Sequence, residues 1–127
     1  MTQSFVDIIR DSGGYNLKRL LIITGMDGLI SYTCSPNYKL PIDLSNKLAI
    51  SIHYDTPHSF TKYNADSSWG SEIDYRNMMN ELDTIKDYYI NKGIPFIFPD
   101  IGVMTEMNKK IICIKEYLYS IFSISIY

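Results

Sequence analysis

Residues 47–57 read KLAISIHYDTP and residues 93–103 read GIPFIFPDIGV, two strand-like apolar stretches that each end in polar residues. In a parallel α/β fold, the loops that leave the carboxyl ends of the strands carry the functional groups. The polar residues at these two ends are therefore the candidate site residues. They are His53, Tyr54, Asp55 and Asp100.

The first half of the chain shows one helical pattern and two strand patterns. Apolar residues at helical spacing predict a helix over residues 4–12, which a Ser-Gly-Gly turn ends. The run RLLIIT at residues 19–24 predicts a strand buried on both faces, and a second strand is predicted over residues 48–53. Between them, residues 26–46 lose periodicity and are rich in Gly, Pro, Asn and Asp, which predicts a long irregular loop.

The second half repeats this alternation. After a polar loop over residues 55–70, the stretch Ser71-Glu72-Ile73-Asp74 resembles a helix capping box, and Gly93 and Pro95 end the helix. Its predicted buried face consists of Met78, Leu82, Ile85 and Tyr89. A third strand is predicted over residues 96–101 and a further helix from about residue 108, whereas the final FSISIY fits a helix or a strand. Strands that alternate with helices indicate an α/β fold with parallel strands.

Composition bounds the class of protein. The chain has 127 residues, 46% hydrophobic and 20% charged, with a formal charge of −2, which predicts one globular domain and no nucleic-acid partner. No stretch is long enough to cross a membrane, and the start MTQSFVDIIRDSGG lacks the features of an export signal. Cys34 and Cys113 lack metal-ligand spacing, which favours buried free thiols, and a disulfide stays open.

Four segments in this order carry a resemblance to a known family. They are FVDIIRDSGGYNLKRLLIITGMDG, KLAISIHYDTP, Trp69-Gly70 followed by Asp74, and NKGIPFIFPDIGV. The chain resembles the second half of a family 5 glycoside hydrolase, the family of cellulases and endo-β-1,4-glucanases. The resemblance implies a (β/α)8 barrel that hydrolyses β-linked glucans with retention, using one glutamate as acid/base and another as nucleophile. It implies no cofactor and no metal.

The resemblance predicts a partial (β/α)8 TIM barrel of about three parallel strands with flanking helices, since a whole barrel typically needs about 250 residues. Residues 1–127 would form a single incomplete α/β domain. The acid/base glutamate of the family follows a strand that would precede Met1, so no residue of this chain takes that role. Cleavage with retention normally uses two carboxyl groups about 5 Å apart. We therefore expect a truncated and catalytically impaired hydrolase, a pseudoenzyme.

Two positions depart from the family pattern. Asp100 would stand where relatives carry the nucleophilic glutamate, and its shorter side chain retracts the carboxylate by about 1.5 Å, one carbon–carbon bond. A misplacement of about 1 Å can cost roughly a hundredfold in rate. The family pattern of a histidine followed two positions later by a tyrosine is matched at His53, but Asp55 takes the second position. A second carboxyl group near Asp100 favours protonation of one of the two.

The resemblance also assigns substrate-binding positions, namely His53, Tyr54, Asp55 and Trp69. Each has a structural alternative. His53 at a strand end could serve only as a hydrogen-bonding residue, and Trp69 could pack beneath its loop instead of stacking on a sugar ring. Asp100 could merely accept hydrogen bonds from the backbone of its turn, and Pro99 beside it indicates a changed conformational constraint.

Three functions remain open at this point: an impaired cellulase-like hydrolase, a non-catalytic remnant that binds β-glucan or cello-oligosaccharides, and an α/β protein-interaction module. An incomplete barrel would expose sheet edges, so we also expect self-association or pairing with a complementary amino-terminal half-barrel. Relatives in the family are commonly secreted, and the localisation of this chain stays open.

Overall fold

A computed structural model of the chain describes residues 2–58 and 70–101. The helices are α1 (Thr2–Asp11), α2 (Ile30–Thr33) and α3 (Glu72–Tyr88), and the strands are β1 (Leu21–Ile23), β2 (Leu48–Ser51) and β3 (Phe96–Ile97). The described residues divide into two compact units, one with residues 2–54 and 80–101 and the other with residues 55–58 and 70–79.

The three strands form a parallel sheet in the order β1-β2-β3. Leu21 is opposite Leu48, and Ile50 is opposite Phe96. The predicted parallel α/β arrangement is therefore confirmed, although all three strands are shorter than the sequence pattern suggested. A single parallel bridge between Tyr54 and Ile101 continues the pairing beyond β3.

The prediction that the first strand is buried on both faces is wrong for the described structure. Leu21 and Ile23 are buried, but Ile22 between them is 51% exposed. Successive side chains of a strand point to opposite faces, so Leu21 and Ile23 lie on one face of the sheet and Ile22 lies on the other. In the described part of the chain, only the face of Leu21 and Ile23 is covered at β1. An unbroken apolar run does not indicate how many of the two faces are covered, because it lacks the polar alternation that would mark an open face.

The helix predicted after the capping box is confirmed as α3. Ser71 Oγ accepts a hydrogen bond from the Asp74 amide (3.2 Å), and Asp74 Oδ2 accepts one from the Ser71 amide (2.8 Å). Hydrogen bonds from Ser71 and its amide lower the pKa of Asp74. The four residues of the predicted apolar face are all buried: Met78, Leu82, Ile85 and Tyr89. After the helix, Gly93 adopts a left-handed conformation with φ 73°, which ends the helical segment.

The loop predicted over residues 26–46 is mostly irregular, as expected, but contains a 3-10 turn at Met26–Gly28 and the short helix α2. Its end is anchored by Asp43, whose carboxylate binds the Arg10 guanidinium through two hydrogen bonds of 2.8 and 2.9 Å. Asp43 also accepts hydrogen bonds from the amides of Ser45 and Lys47. This ion pair joins α1 to the residues that enter β2, at the amino end of the sheet.

Several predictions fall outside the described residues. They concern Trp69, Cys113, the helix from about residue 108 and the segment FSISIY. Within residues 2–58 and 70–101, no helix has the length and apolar character that a membrane span requires.

Candidate functional site

The candidate site lies at the carboxyl ends of β2 and β3, where the backbone brings two predicted site regions together. The Tyr54 amide donates a hydrogen bond to the Asp100 carbonyl oxygen (3.0 Å). His53 and Asp100 both have exposed side chains, whereas Tyr54 is 1% exposed. The structure therefore places the ends of the two strands side by side, as the sequence predicts.

The pairing of these two strands shifts by one residue just before Asp100. Ser51 is opposite Ile97, and continued regular pairing would place Tyr54 opposite Asp100. The observed partner of Tyr54 is instead Ile101. The hydrogen bonds agree, because the amides of Ile50, Ile52 and Tyr54 bind the carbonyl oxygens of Pro95, Ile97 and Asp100. Three steps from Ser51 to Tyr54 thus correspond to four steps from Ile97 to Ile101. The segment that follows β3 therefore contains one extra residue, which is the defining feature of a β-bulge.

His53 is held against the loop that follows β1. Its amide donates a hydrogen bond to the carbonyl oxygen of Gly28 (2.9 Å). A Cβ atom at Gly28 would lie 2.9 Å from Cδ2 of the imidazole, and the φ of Gly28 is +67°. Both observations favour glycine at this position. Sequence reasoning missed Gly28 as a site residue, although the Asp27-Gly28 pair is a turn signal that could have marked it.

Tyr54 has a different environment from its neighbour. Its hydroxyl donates a hydrogen bond to Glu81 Oε2 (2.8 Å), and its ring centroid lies 5.3 Å from that of Phe98. The described structure thus places this side chain in the core, and direct contact with a substrate stays a prediction. Glu81 on α3 was not identified from the sequence, and nothing in its local sequence marks it.

Asp55 begins the second unit. Its Oδ2 lies 3.4 Å from His58 Nδ1, and both side chains are partly exposed. The pairing of Asp55 with Asp100 that the sequence suggests therefore stays a prediction, as does the role of Trp69, which lies outside the described residues.

Within residues 2–58 and 70–101, the largest shifts in pKa occur away from the candidate site. Hydrogen bonds from the Arg10 guanidinium lower the pKa of Asp43 to about 2. Burial raises the pKa of the Cys34 thiol to about 11, and Cys34 is a free cysteine. Burial also raises the pKa of Tyr89, whose hydroxyl donates a hydrogen bond to the Thr33 carbonyl oxygen.

Within the described residues, a cavity lies away from the candidate site, and the possible metal ligands are dispersed. A cavity of about 660 Å³ lies at the amino ends of the strands, where Leu20, Leu48 and Pro95 contribute to its lining. Functional sites of parallel α/β proteins lie at the opposite, carboxyl ends. Among residues 2–58 and 70–101, no three His, Cys, Asp or Glu side chains come together as metal ligands would.

Parallel strands with flanking helices, and candidate residues that follow the carboxyl ends of β2 and β3, define this chain as a parallel α/β protein. The chain belongs to the family described as Cellulase (glycosyl hydrolase family 5), whose model matches residues 1–122. The predicted family membership and the partial (β/α)8-barrel fold are confirmed.

Individual relatives agree with this assignment. The chain is 32% identical over 125 residues to Endoglucanase 1 of Ruminococcus albus, covering 91% of this chain and 29% of that protein. A broad-specificity endoglucanase from an uncultured bovine rumen ciliate matches in structure with a TM-score of 0.75 and 40% identity, over 93% of this chain and 38% of that one. A lichenase mutant from Caldicellulosiruptor sp., in complex with cellotetraose, matches with a TM-score of 0.71 and 29% identity. That match covers 83% of this chain and 31% of the lichenase. The chain thus spans about a third of the length of these relatives.

Proposed function

We propose that this chain forms part of a cellulase-like glycoside hydrolase that binds β-glucan or cello-oligosaccharides at the carboxyl ends of β2 and β3. In this proposal His53 contacts the sugar and Asp100 occupies the position of the nucleophile. The observation that supports it best is the hydrogen bond from the Tyr54 amide to the Asp100 carbonyl oxygen, since it holds the ends of the two strands together. The cellotetraose complex of the related lichenase supports a cello-oligosaccharide as the ligand.

The proposed chemistry is hydrolysis with retention. A carboxylate attacks the anomeric carbon of the sugar and forms a covalent ester, while a second carboxyl group protonates the oxygen of the leaving alcohol. Water then cleaves the ester, and the second group acts as the base. Asp100 is exposed after β3, and in this proposal it supplies the attacking carboxylate.

We further propose that the 127-residue chain by itself hydrolyses β-glucans poorly or not at all. The Asp100 carboxylate is retracted by about one carbon–carbon bond, or about 1.5 Å, relative to a glutamate. The family resemblance assigns the acid/base role to none of the residues present, so departure of an alcohol would go unassisted. In addition, Asp55 takes the place of a tyrosine.

The first experiment tests nucleophilic attack with dinitrophenyl cellobioside, whose leaving group departs without protonation. We expect that the chain with its native sequence releases no dinitrophenolate from this substrate. The Asp100→Glu variant, alone or with Asp55→Tyr, is expected to release about one equivalent and to gain the mass of one cellobiosyl group, because the ester forms but is hydrolysed slowly.

The matched control is Asp87→Glu, which makes the same change at an exposed position on α3. Modification of this control would show that labelling is not specific to residue 100. Multiple turnovers by the native sequence would contradict the proposed impairment, and a folded Asp100→Glu variant without adduct would contradict the assignment of the nucleophile position.

A purely sugar-binding function is the second candidate, favoured by the exposure of His53. Titration with cellotetraose, followed by NMR, is expected to shift the imidazole resonances of His53, and His53→Ala is expected to weaken binding. If cello-oligosaccharides change no resonance, an α/β protein-interaction module becomes the better description.

The sheet also supports an association proposal. Ile22 is 51% and Ile97 is 39% exposed, so apolar surface lies open in the described part of the sheet. We expect this surface to be covered by a complementary amino-terminal half-barrel or, in its absence, by a second copy of the chain. Sedimentation of the isolated chain over a range of concentrations tests this, and a stable monomer at high concentration would contradict self-association.

A further inference from the structure

We propose that Glu81 is a positioning residue for Asp100 and acts through Tyr54. Glu81 holds the Tyr54 side chain, and the Tyr54 backbone holds the shifted pairing that turns Asp100 toward the face of the sheet occupied by His53. The inference rests on the proposed function for the role of Asp100 as the nucleophile position. The effect of Glu81 on the hydrogen bond between Tyr54 and Asp100 can nevertheless be tested without substrate.

The shifted pairing determines the face of the sheet on which Asp100 lies. Ser51 and Ile97 are opposite each other and therefore share a face, and His53 lies two residues after Ser51 on that same face. Without a shift, regular pairing would place Asp100 opposite Tyr54, on the other face. With Ile101 opposite Tyr54, Pro99 and Asp100 together oppose His53, and we infer that Asp100, directly before Ile101, takes the face of His53. The extra residue therefore brings the two exposed site residues to one face.

The residue inserted at the shift is Pro99. Phe98 still packs on the core side, since its ring centroid lies 5.3 Å from that of Tyr54 and 5.1 Å from that of Phe96. The insertion therefore falls between Phe98 and Asp100, at Pro99. Proline has no amide hydrogen to donate to a ladder, and within sheets it is found at bulges and edges.

One backbone hydrogen bond fixes the shifted pairing. The amide of Tyr54 donates to the carbonyl oxygen of Asp100 at 3.0 Å, directly after the bulge. If the Tyr54 backbone moved away from this carbonyl, the pairing would lose the hydrogen bond that follows the extra residue. The direction of the Asp100 side chain would then be free to vary.

Glu81 holds the side chain of Tyr54 in place. The Tyr54 side chain is 1% exposed, and its hydroxyl donates to the Glu81 carboxylate at 2.8 Å. A hydrogen bond to a charged group contributes more than one between neutral groups, and loss of one partner leaves the other desolvated. Glu81 thus fixes Tyr54 at its side-chain end, while the ring of Phe98 packs against it.

The test uses amide hydrogen exchange of the full chain, measured by NMR. The Tyr54 amide reports the hydrogen bond to Asp100, and the amides of Ile50 and Ile52, which bind Pro95 and Ile97 across the same two strands, are internal references. We expect Glu81→Leu to accelerate exchange at Tyr54 by about tenfold or more relative to both references. Cross-strand NOEs from Tyr54 to residue 101 are expected to weaken as well.

Three further variants separate positioning from general stability. Tyr54→Phe removes the hydroxyl and is expected to accelerate exchange in the same selective way. Glu81→Gln keeps an oxygen that can accept a hydrogen bond from the Tyr54 hydroxyl, so it is expected to retain most of the protection of the Tyr54 amide against exchange. Glu72→Leu makes the matched change at an exposed position on the same helix, where Glu72 pairs with Arg76, and is expected to leave the Tyr54 amide unchanged.

An equal acceleration at Tyr54, Ile50 and Ile52 would overturn the inference, because it would indicate a general loss of stability. Unchanged exchange at Tyr54 in a folded Glu81→Leu or Tyr54→Phe variant would overturn it too. Exchange needs no substrate, so a failure here is distinguishable from a failure of the proposed function, which would instead appear as absence of glycosyl adduct and of cellotetraose binding.

Discussion

The imidazole of His53 lies directly against the backbone of Gly28, and the His53 amide donates a hydrogen bond of 2.9 Å to the Gly28 carbonyl oxygen. The loop after β1 is thereby attached to the end of β2 at the residue proposed to contact sugar. Because a Cβ atom at Gly28 would approach Cδ2 of His53 to 2.9 Å, the orientation of the ring depends on the absence of a side chain there.

We therefore expect Gly28→Ala to displace the His53 ring and to destabilise the chain by about 1–2 kcal/mol through backbone strain at positive φ, plus a contribution from the close contact. The imidazole resonances measured by NMR are expected to shift, and the midpoint of urea unfolding is expected to fall.

Gly93→Ala is the matched control, because Gly93 also has a positive φ but its Cβ atom would meet nothing within 4 Å. It should reduce stability through strain alone and leave the His53 resonances in place. If both variants shifted the His53 resonances equally, or if Gly28→Ala left them unchanged, the contact between Gly28 and His53 would not determine the ring orientation.

The fold could be predicted from the sequence wherever local patterns suffice. The apolar face of α3 and its cap at Ser71 depend on spacing within one segment, so both were predicted correctly. The exposure of Ile22 was not predicted, because an unbroken apolar run does not show whether both faces of a strand are covered.

The sequence predicted that the residues after β2 and β3 lie side by side, but it did not predict the contacts around them. His53 and Asp100 follow apolar runs and could be recognised. In contrast, Gly28 and Glu81 contact the site from elements distant in sequence, and the shifted pairing around Pro99 depends on the neighbouring strand. Neither kind of information is contained in the periodicity of a single segment.

The ion pair between Arg10 and Asp43 predicts how stability depends on pH. The pKa of Asp43 is lowered to about 2, so its contribution to stability is fully present above the usual aspartate pKa of about 4 and is lost as the pH falls through about 2. Asp43→Asn is expected to lower the melting temperature by several degrees near pH 6, and the difference from the native sequence should shrink toward pH 2.

Thermal unfolding followed by circular dichroism at several pH values measures this difference. Asp11→Asn is the control, because Asp11 is an exposed aspartate at the end of the same helix as Arg10. A difference between Asp43→Asn and the native sequence that stays constant from pH 6 to about pH 2 would show that the ion pair is not the source of the acid sensitivity.

Cys34 yields a prediction about reactivity. Burial raises the pKa of its thiol to about 11, and the residue is 9% exposed, so very little nucleophilic thiolate is present and reagents reach it poorly. We expect alkylation by iodoacetamide near pH 8 to be at least about a hundredfold slower in the folded chain than in urea. Mass spectrometry of the peptide that contains Cys34 separates its reaction from that of Cys113.

A folded Ser31→Cys variant provides the positive control, because Ser31 is exposed on the same short helix, α2, that precedes Cys34. The introduced thiol should react in the folded chain at nearly the rate measured in urea, since it is neither desolvated nor covered. If Cys34 reacted as fast as this control under native conditions, α2 would have to open readily. The hydrogen bond between the Tyr89 hydroxyl and the Thr33 carbonyl oxygen would then contribute little to holding that helix in place.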